Sequence, residues 1–448
     1  MTNSSFRVAV GAGYWSLSGV HVFAVHLVRG LRERGIDAHL LMTEQNTELV
    51  SLPTNPMDIP KDIPVVELPV PREGNWAAHW HCLIQYLEGL KPCIYLPNVD
   101  FRHSCVSPKL SSGVPVVGIL QGDDPIHYEH VQRLGKYWDA IVCVSQELAD
   151  RTAAIDPAFR SRIHMIPNAV PVPDHCPPRA WEEKGRLKIV YHGVLNTYQK
   201  RILDIPLILE ELQQRGVPME MTIAGTGPEQ EELLRRCAPF IESGTLKYHG
   251  IVKNDEIQNL LSRHDVYILT SRFEGMPHAM LEAMACGCVP VVTDIASGIP
   301  QVVRQGENGY RIPIGGIAEF ADALASLQAD PGLRRKLALA AHRTVKDSPY
   351  NVTHMVAAYA NLFERVMHDA RTRAYRRPRA SVLPPPATVD GLSIFPVEHK
   401  LFVEEVDRLL PNGDTDLTPE SGTLWGGIRR ALRRLGVGGS VSSGSKNS

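Results

Sequence analysis

Short apolar runs alternate with helical periods along most of this chain, and this alternation most strongly limits how it can fold. The first series runs from FRVAVGAG at residue 6 to RIHMIPNAV, which ends at residue 170. A second series begins with LKIVYHG at residue 187 and continues to a helical stretch at 317–328. Strands that alternate with helices form mostly parallel sheets. The sequence therefore predicts two α/β domains of similar size.

A proline-rich segment separates the two series. Residues 171–186 read PVPDHCPPRAWEEKGR and hold four prolines without helical or strand periodicity, which is typical of a linker. We predict an N-terminal domain at 1–170, a C-terminal domain at 187–350 and a final helix at 351–370. Doubly wound sheets bind ligands beyond the carboxyl ends of their strands, so two facing domains would place a ligand in the cleft between them.

The last part of the chain has a different composition. Residues 371–448 include the basic run RTRAYRRPRA and the proline-rich SVLPPPATVD, so we predict a loosely ordered tail. Within it, 424–435 reads LWGGIRRALRRL, in which apolar residues recur on one helical face and arginines lie on the flanks and far side. This pattern predicts an amphipathic helix that docks on an anionic membrane surface. The alternatives are packing on the protein's own surface and disorder.

Charge and composition exclude several classes of protein. Lys and Arg number 47 and Asp and Glu number 49, a net charge of -2, so the chain is not a globally basic nucleic-acid binder. No run approaches the roughly 20 apolar residues of a membrane-spanning helix, and the N-terminus lacks the pattern of a signal peptide. We therefore expect a cytoplasmic protein, peripheral on the membrane if the tail helix docks. The eight cysteines form no CxxC pair, which favours reduced thiols.

The stretch LTSRFEGMPHAMLEAMACGCVPVVTD at 269–294 carries the strongest chemical signal. Glu274 follows a strand, Gly275 and Pro277 favour a turn into a helix, and Glu282 lies within that helix. The helix N-terminus between the two carboxylates suits a phosphate. Glu282 can accept two hydrogen bonds from a ribose diol while Glu274 holds sugar hydroxyls. The alternative is that both are ordinary surface and cap carboxylates, but the strand–turn–helix context favours a nucleotide-sugar site.

These residues resemble the EX7E motif of the retaining family-4 glycosyltransferases, whose GT-B fold consists of two facing Rossmann-like domains. The resemblance covers residues 1 to about 367 and is most specific in the second domain. It implies a nucleotide diphosphate-sugar donor. Since cations and a helix N-terminus can neutralise the diphosphate, we expect no metal or other cofactor. Beyond the EX7E motif, the segments that carry the resemblance are SGVHVFAVHLVRGLRERGIDAHLL, RIHMIPNAV, AGTGPEQEELLRR, LKYHGIVKNDEIQNLLSRHDVYILTSRFEG and SGIPQVVRQGENGYRI.

The resemblance also implies roles for individual positions. Lys200 and Arg201 would hold the donor diphosphate and, with Glu274, form the catalytic set; cations there would stabilise the charge that develops on the leaving group. Ile251 would contact the base through its backbone. The positions implied to bind substrate are Gly19, Gln121, Ile251, Gly275, Met276, His278, Leu281 and Glu282.

Two departures from the family pattern stand out. Val194 follows the strand glycine where relatives often have arginine, so Lys200 and Arg201 would carry the diphosphate alone. Gln121 ends a first-domain strand where many relatives have histidine, and glutamine cannot act as a general base. Asp123 and Asp124, just after Gln121, are the only acidic pair that suggests a metal, and we expect none to bind there.

The sequence therefore predicts a retaining glycosyltransferase that moves a hexose from a nucleotide diphosphate to a glycan or lipid-linked glycan. Other enzymes on the same fold, a nucleotide-sugar epimerase or a phosphorylase, remain alternatives because a fold does not determine its chemistry. A protein that binds nucleotide-sugars or glycans without catalysis is a third. The sequence indicates neither the base and sugar of the donor nor the acceptor.

Overall fold

The computed structural model describes residues 5–13, 15, 18–43, 59–69, 76–179 and 185–383. They form two sheet-based domains with helices packed on both sheets, so the predicted pair of α/β domains is confirmed. The N-terminal domain contains the strands β1 (Arg7–Gly11), β2 (Asp37–Met42), β3 (Val65–Glu67), β4 (Cys93–Leu96), β5 (Val117–Leu120), β6 (Ala140–Cys143) and β7 (Ile163–Met165). Its helices are α1 (Gly19–Glu33), α2 (Trp76–Gly89), α3 (Pro125–Leu134) and α4 (Gln146–Ile155).

The strands of the N-terminal domain are all parallel. They are ordered β3-β2-β1-β4 and β5-β6-β7, and a parallel bridge between Tyr95 and Val116 links β4 to the second group. The central strands are buried on both faces, as their continuous apolar runs predict. Their carboxyl ends therefore lie along one edge of the sheet, where the loops that follow them meet.

The C-terminal domain repeats this architecture. Its strands are β8 (Leu187–His192), β9 (Met219–Ala224), β10 (Leu246–Gly250), β11 (Val266–Leu269), β12 (Val289–Thr293) and β13 (Tyr310–Ile312). The helices are α5 (Asp204–Gln214), α6 (Gln230–Glu242), α7 (Asn254–Ser262), α8 (His278–Ala285), α9 (Ile299–Val302), α10 (Ile317–Ala329) and α11 (Pro331–Lys346). The parallel order is β10-β9-β8-β11-β12-β13, so the winding reverses direction between β8 and β11. Such a reversal opens a crevice at the strand ends.

The last helix returns to the N-terminal domain. The chain crosses between domains where Val170 pairs with Asn351, and α12 (Val352–Thr372) then packs along α1. The ring of Tyr359 lies 5.6 Å from that of Phe23. A β-carbon on Gly30 would lie 2.5 Å from a methyl group of Val356, so a glycine is needed for the close approach of the two helices.

Residues 373–383, at the start of the predicted tail, lie against the N-terminal domain. Tyr375 donates a 2.7 Å hydrogen bond to the Lys136 carbonyl, and the Leu383 amide donates to Cys105. The basic run RTRAYRRPRA suggests a solvated segment, but Arg377 turns inward and is held by one carboxylate and three carbonyls. The rest of the predicted tail, including 424–435, lies outside the described residues.

Arg377 is expected to be a major anchor of this segment. Its guanidinium donates to Asp139 at 3.0 Å and to the Leu110 and Ser111 carbonyls at 2.6 and 2.9 Å. An Arg377→Met variant leaves Asp139 buried without its cation, which costs on the order of 3 kcal/mol. We expect this loss of unfolding free energy in urea titrations, whereas the exposed neighbour Arg376→Met should change it little. Equal effects of the two variants would contradict the anchoring role.

Candidate active site

The candidate site lies at the reversal between β8 and β11. The loop after β8 carries Lys200 and Arg201, and the loop after β11 carries Glu274 and leads into α8. Because the two strands are adjacent, their loops meet at the same edge of the sheet. This topology brings together residues that are more than 70 positions apart in the sequence.

Glu274 is a buried carboxylate held by three donors. Lys200 Nζ lies 2.5 Å from Oε1, and the Ser271 hydroxyl donates to the same oxygen at 2.6 Å. The Gln199 amide donates to Oε2 at 3.3 Å. The Glu274 side chain is 6% exposed, so its two carboxylate oxygens have a fixed orientation just before the start of α8. A buried, oriented carboxylate of this kind is more than a surface cap.

Lys200 and Arg201 adopt different positions although they are adjacent. Lys200 contacts Glu274, whereas Arg201 makes a bidentate pair with Asp204 at 2.8 and 3.1 Å. Arg201 has a φ of 48°, a left-handed conformation that is uncommon for a residue with a β-carbon. The Thr270 hydroxyl, at the end of β11, donates to the Lys200 carbonyl at 2.7 Å and so joins the two loops. Both cations therefore lie in a tightly held turn beside the strand ends.

Glu282 lies on α8 in a region that water hardly reaches. Its side chain is 16% exposed, and its Oε2 is 3.5 Å from His192 Nε2 at the end of β8. Burial raises the pKa of Glu282 from 4.5 to about 7. The same burial lowers the pKa of His192 to about 4, so the imidazole is neutral at pH 7. Glu282 is thus an acceptor that a partner with hydroxyl donors would stabilise in its ionised form.

The raised pKa of Glu282 predicts how stability depends on pH. Between pH 4.5 and 7 the folded chain keeps a proton on Glu282 that the unfolded chain has lost, so unfolding free energy falls as pH rises. This contribution is at most about 1.4 kcal/mol per pH unit. Subtracting the urea-unfolding profile of Glu282→Gln from that of the wild type should show this slope and a plateau above pH 7. A flat difference would contradict it.

Ile251 and Glu282 line one cavity of about 840 Å³. Ile251 follows Gly250, whose φ of 63° requires a glycine-like conformation at the end of β10, and it is 48% exposed. The N-terminal domain contributes to the same cavity through α1, so its walls come from both domains. The structure thus brings the predicted base contact and the predicted ribose contact to a shared space.

Several further predicted residues lie where the domains touch. A β-carbon on Gly19 would lie 3.0 Å from the His278 ring, and one on Gly275 would lie 2.2 Å from the Gln121 carbonyl oxygen. Met276, which is buried, accepts a 3.0 Å hydrogen bond at its carbonyl from the Asn168 side chain. These contacts hold the beginning of α8 against the N-terminal domain, and at position 275 the close approach to the Gln121 backbone requires a glycine.

His278 begins α8 at this contact. Burial lowers its pKa to about 3, so the ring is neutral, and neither ring nitrogen has a hydrogen-bond partner among the described residues. The first turn of α8 carries no acidic side chain, and no side chain caps it. The positive end of the helix dipole is therefore not neutralised from within the helix, as an anion-binding site requires.

Gln121 is oriented by Asn98, which the sequence pattern did not single out. The Gln121 amide nitrogen donates to Asn98 Oδ1 at 2.6 Å, and Asn98 has a φ of 49°. Gln121 Oε1 is buried and has no partner among the described residues. This pair consequently presents an acceptor oxygen, which suits a sugar hydroxyl. In the sequence, the signal for Asn98 is its position in CIYLPNVD, after an apolar run that is typical of a strand.

Two family models match the chain. The model described as glycosyltransferase family 4 matches residues 17–172, and the one described as glycosyl transferases group 1 matches residues 186–330. Together they cover most of both domains, including the candidate site. This chain belongs to the family-4 glycosyltransferases. The predicted family is therefore confirmed, while its retaining mechanism and the roles of individual residues stay predictions.

Curated relatives are similar over part of this family-4 chain. The N-acetyl-alpha-D-glucosaminyl L-malate synthase of Bacillus anthracis is 28% identical over 41% of this chain and 46% of its own length. The lipopolysaccharide core biosynthesis glycosyltransferase LpsE of Rhizobium meliloti is 26% identical over 48% of this chain and 64% of its own length. The chain thus spans about half to two thirds of these relatives.

Solved structures of glycosyltransferases share the GT-B fold with this family-4 chain. The pneumococcal O-GlcNAc transferase GtfA, solved with UDP and GlcNAc, covers 82% of this chain and all of its own at a TM-score of 0.64 and 11% identity. HepE of Anabaena, solved with UDP-glucose, covers 80% of this chain and 99% of its own at a TM-score of 0.64 and 16% identity. These similarities confirm the predicted fold.

The remaining predicted residues have structural positions in this family-4 chain. Leu281 is fully buried and its amide donates to the Pro277 carbonyl, so it packs inside the domain and does not line the cavity. Asp124 caps α3, and Asp123 pairs with Arg151 at 3.1 Å. Among the described residues, no group of three or more His, Cys, Asp or Glu side chains is arranged to hold a metal ion.

Two further findings concern the cysteines and the helices. The cysteines are all free and lie within the described part of the chain. Within that same part, no helix has both the length and the apolar character needed to cross a bilayer. The amphipathic helix that we predict at 424–435 lies outside it.

Proposed function

We propose that this protein is a retaining glycosyltransferase that transfers a hexose from a nucleotide diphosphate-sugar to a glycan or lipid-linked glycan. The observation that carries the proposal is the arrangement around the start of α8. Glu274, which precedes the helix, is held by Lys200. Glu282 lies on the helix itself and lines the cavity together with Ile251. One elongated ligand with a sugar, a diphosphate and a nucleoside matches this series of groups.

The nucleoside end binds at Glu282. A ribose diol donates two hydrogen bonds to the carboxylate, which favours its ionised form. Because the pKa of Glu282 in the free protein is about 7, binding at pH 6 releases a proton. Ile251 receives the base through its backbone at the exposed end of β10.

The diphosphate lies between the cations and the helix N-terminus. Lys200, Arg201 and the amide groups at the start of α8 supply positive potential where charge develops as the bond to the sugar breaks. These groups neutralise the diphosphate charge that a metal ion would otherwise neutralise, so we propose that no metal is needed. Since Lys200 pairs with Glu274 in the structure, the donor phosphate competes with that carboxylate for the same ammonium group.

Sugar transfer follows from these contacts. The bond from the anomeric carbon to the diphosphate oxygen breaks, and the acceptor hydroxyl oxygen bonds to the same face of that carbon. The acceptor proton passes to the departing diphosphate, so no protein base is required, which agrees with glutamine at position 121. Gln121 Oε1 and Glu274 accept hydrogen bonds from the sugar hydroxyls.

The nature of the acceptor is proposed from the relatives. One of them is named as an N-acetyl-alpha-D-glucosaminyl L-malate synthase, and the other as a glycosyltransferase of lipopolysaccharide core biosynthesis. We propose a glycan or lipid-linked glycan bound against the N-terminal domain, with the protein peripheral on the inner face of a membrane. The basic pattern at 424–435 would provide the membrane contact.

Membrane docking has a direct test. The full chain should co-sediment with vesicles that contain anionic phosphatidylglycerol and less with neutral phosphatidylcholine vesicles, because each arginine near an anionic surface contributes about 1 kcal/mol. A chain that ends at Asp416 should lose this difference, and high salt should weaken binding of the full chain. Equal sedimentation of the two chains with anionic vesicles would exclude 424–435 as the anchor.

A panel of UDP-, GDP- and ADP-hexoses tests the proposed reaction. We expect slow release of a nucleoside diphosphate and free sugar from one donor without acceptor. An epimerase would convert the sugar without releasing it, and a phosphorylase would need inorganic phosphate. Binding of a donor without turnover, with or without a glycan mixture, would contradict catalysis and indicate a binding protein.

A further inference from the structure

One wall of the cavity beside Glu282 comes from the other domain. Val22, Val25, His26 and Arg29 line it, and their spacing places them on one face of α1. Ile251, the residues that follow it and Glu282 line the same cavity from the C-terminal domain. A ligand in this space therefore contacts both domains at once.

His26 is the polar group of the α1 wall that is free to bind. It lines the cavity and forms no hydrogen bond with the described residues. Desolvation, together with the charge of Arg29, lowers the pKa of His26 to about 4, so the ring is neutral at pH 7. A neutral imidazole offers one N–H donor and one acceptor nitrogen. This combination matches the edge of a nucleobase, which also has both.

The surroundings of His26 favour a flat, partly apolar ligand. Val22 and Val25 supply apolar surface beside it. Arg29 is engaged at the rim, where its guanidinium lies 2.6 Å from Asp62 Oδ2, so its charge is partly neutralised. A volume of about 840 Å³ lies in the range of small-molecule sites.

We infer that α1 covers the nucleoside subsite: His26 hydrogen-bonds the base, and Val22 and Val25 pack on the face of the base. The inference rests on the proposed function, since it places the nucleoside of the donor between α1 and Ile251. The nucleoside then bridges the two domains independently of the sugar. His26 becomes a residue that determines which base is accepted.

Calorimetric titration with UDP, GDP and ADP tests this inference. For the nucleotide that wild type binds most tightly, His26→Ala should weaken binding about tenfold, as expected for loss of one desolvated hydrogen bond. The discrimination among the three bases should fall as well. Binding of inorganic pyrophosphate, which lacks a nucleoside, should not change. Glu33→Ala, an exposed change at the C-terminal end of α1 that does not line the cavity, is the matched control, and thermal melting verifies folding of each variant.

The other outcomes separate the inference from the proposed function. If Glu282→Ala weakens nucleotide binding while His26→Ala does not, the contact between α1 and the base is contradicted and the proposed function stands. If His26→Ala weakens pyrophosphate and nucleotide equally, its effect is on domain closure, and the base contact is overturned. If wild type binds none of the three nucleotides, both the function and the inference are contradicted.

Discussion

Replacement of Glu282 by alanine should weaken nucleoside diphosphate binding about 100-fold. The carboxylate supplies two charge-assisted hydrogen bonds to the ribose, and their loss costs on the order of 3 kcal/mol. Calorimetric titration of the best-binding nucleotide measures this directly. Glu282→Gln, which keeps one acceptor oxygen, should lie between wild type and alanine. Glu242→Ala, at the exposed end of α6, should bind as wild type does.

Removal of the Glu282 carboxylate should also abolish the pH dependence of binding. In wild type, nucleotide affinity should fall as pH drops below 7, because the proton on Glu282 competes with the ribose. Glu282→Gln should show no such change from this group. Wild-type affinity in Glu282→Ala would contradict the placement of the ribose.

Replacement of Lys200 by methionine should lower kcat by 100- to 1,000-fold with a smaller change in donor KM. The ammonium group stabilises charge that develops on the diphosphate mainly in the transition state. Steady-state donor hydrolysis or transfer gives both constants. Lys200→Arg keeps the charge and should recover part of kcat. A change in KM alone would mean that Lys200 only binds the ground state.

The same variant should be less stable, and this effect can be separated from catalysis. Lys200→Met leaves the Glu274 carboxylate buried without its cation, at a cost of about 3 kcal/mol in unfolding free energy. Combining it with Glu274→Gln removes the unpaired charge and should restore most of the stability. Activity should stay low in the double variant. Recovery of activity along with stability would show that the loss in Lys200→Met was structural.

The fold was predictable because local patterns and topology agree. The alternation of strands with helices leaves few arrangements other than parallel sheets, and the structure follows it closely. In the N-terminal domain α1 follows β1 and α2 follows β3, as the alternation predicts. Glu274 and Glu282 could be singled out because strand, turn and helix follow one another there without a gap.

Other features of the site and of the segment 373–383 depend on contacts between distant parts of the chain. The pairing of Gln121 with Asn98 and the inward turn of Arg377 are both decided by residues that are distant in the sequence and close in space. The side chain of Leu281, which the resemblance places at the site, packs in the core because of its position in the helical period of α8. A motif indicates which residues are near a site, and packing decides which of them face it.

The anomer that is first released from an α-linked donor tests the central claim most directly. Hydrolysis of the active nucleotide-sugar can be followed by time-resolved ¹H NMR with the full chain, before mutarotation scrambles the product. A retaining glycosyltransferase should release the α-hexose first, because the new bond forms on the face that the diphosphate leaves. Initial release of the β-hexose would show inversion and contradict the mechanism proposed for Glu274, Lys200 and Arg201.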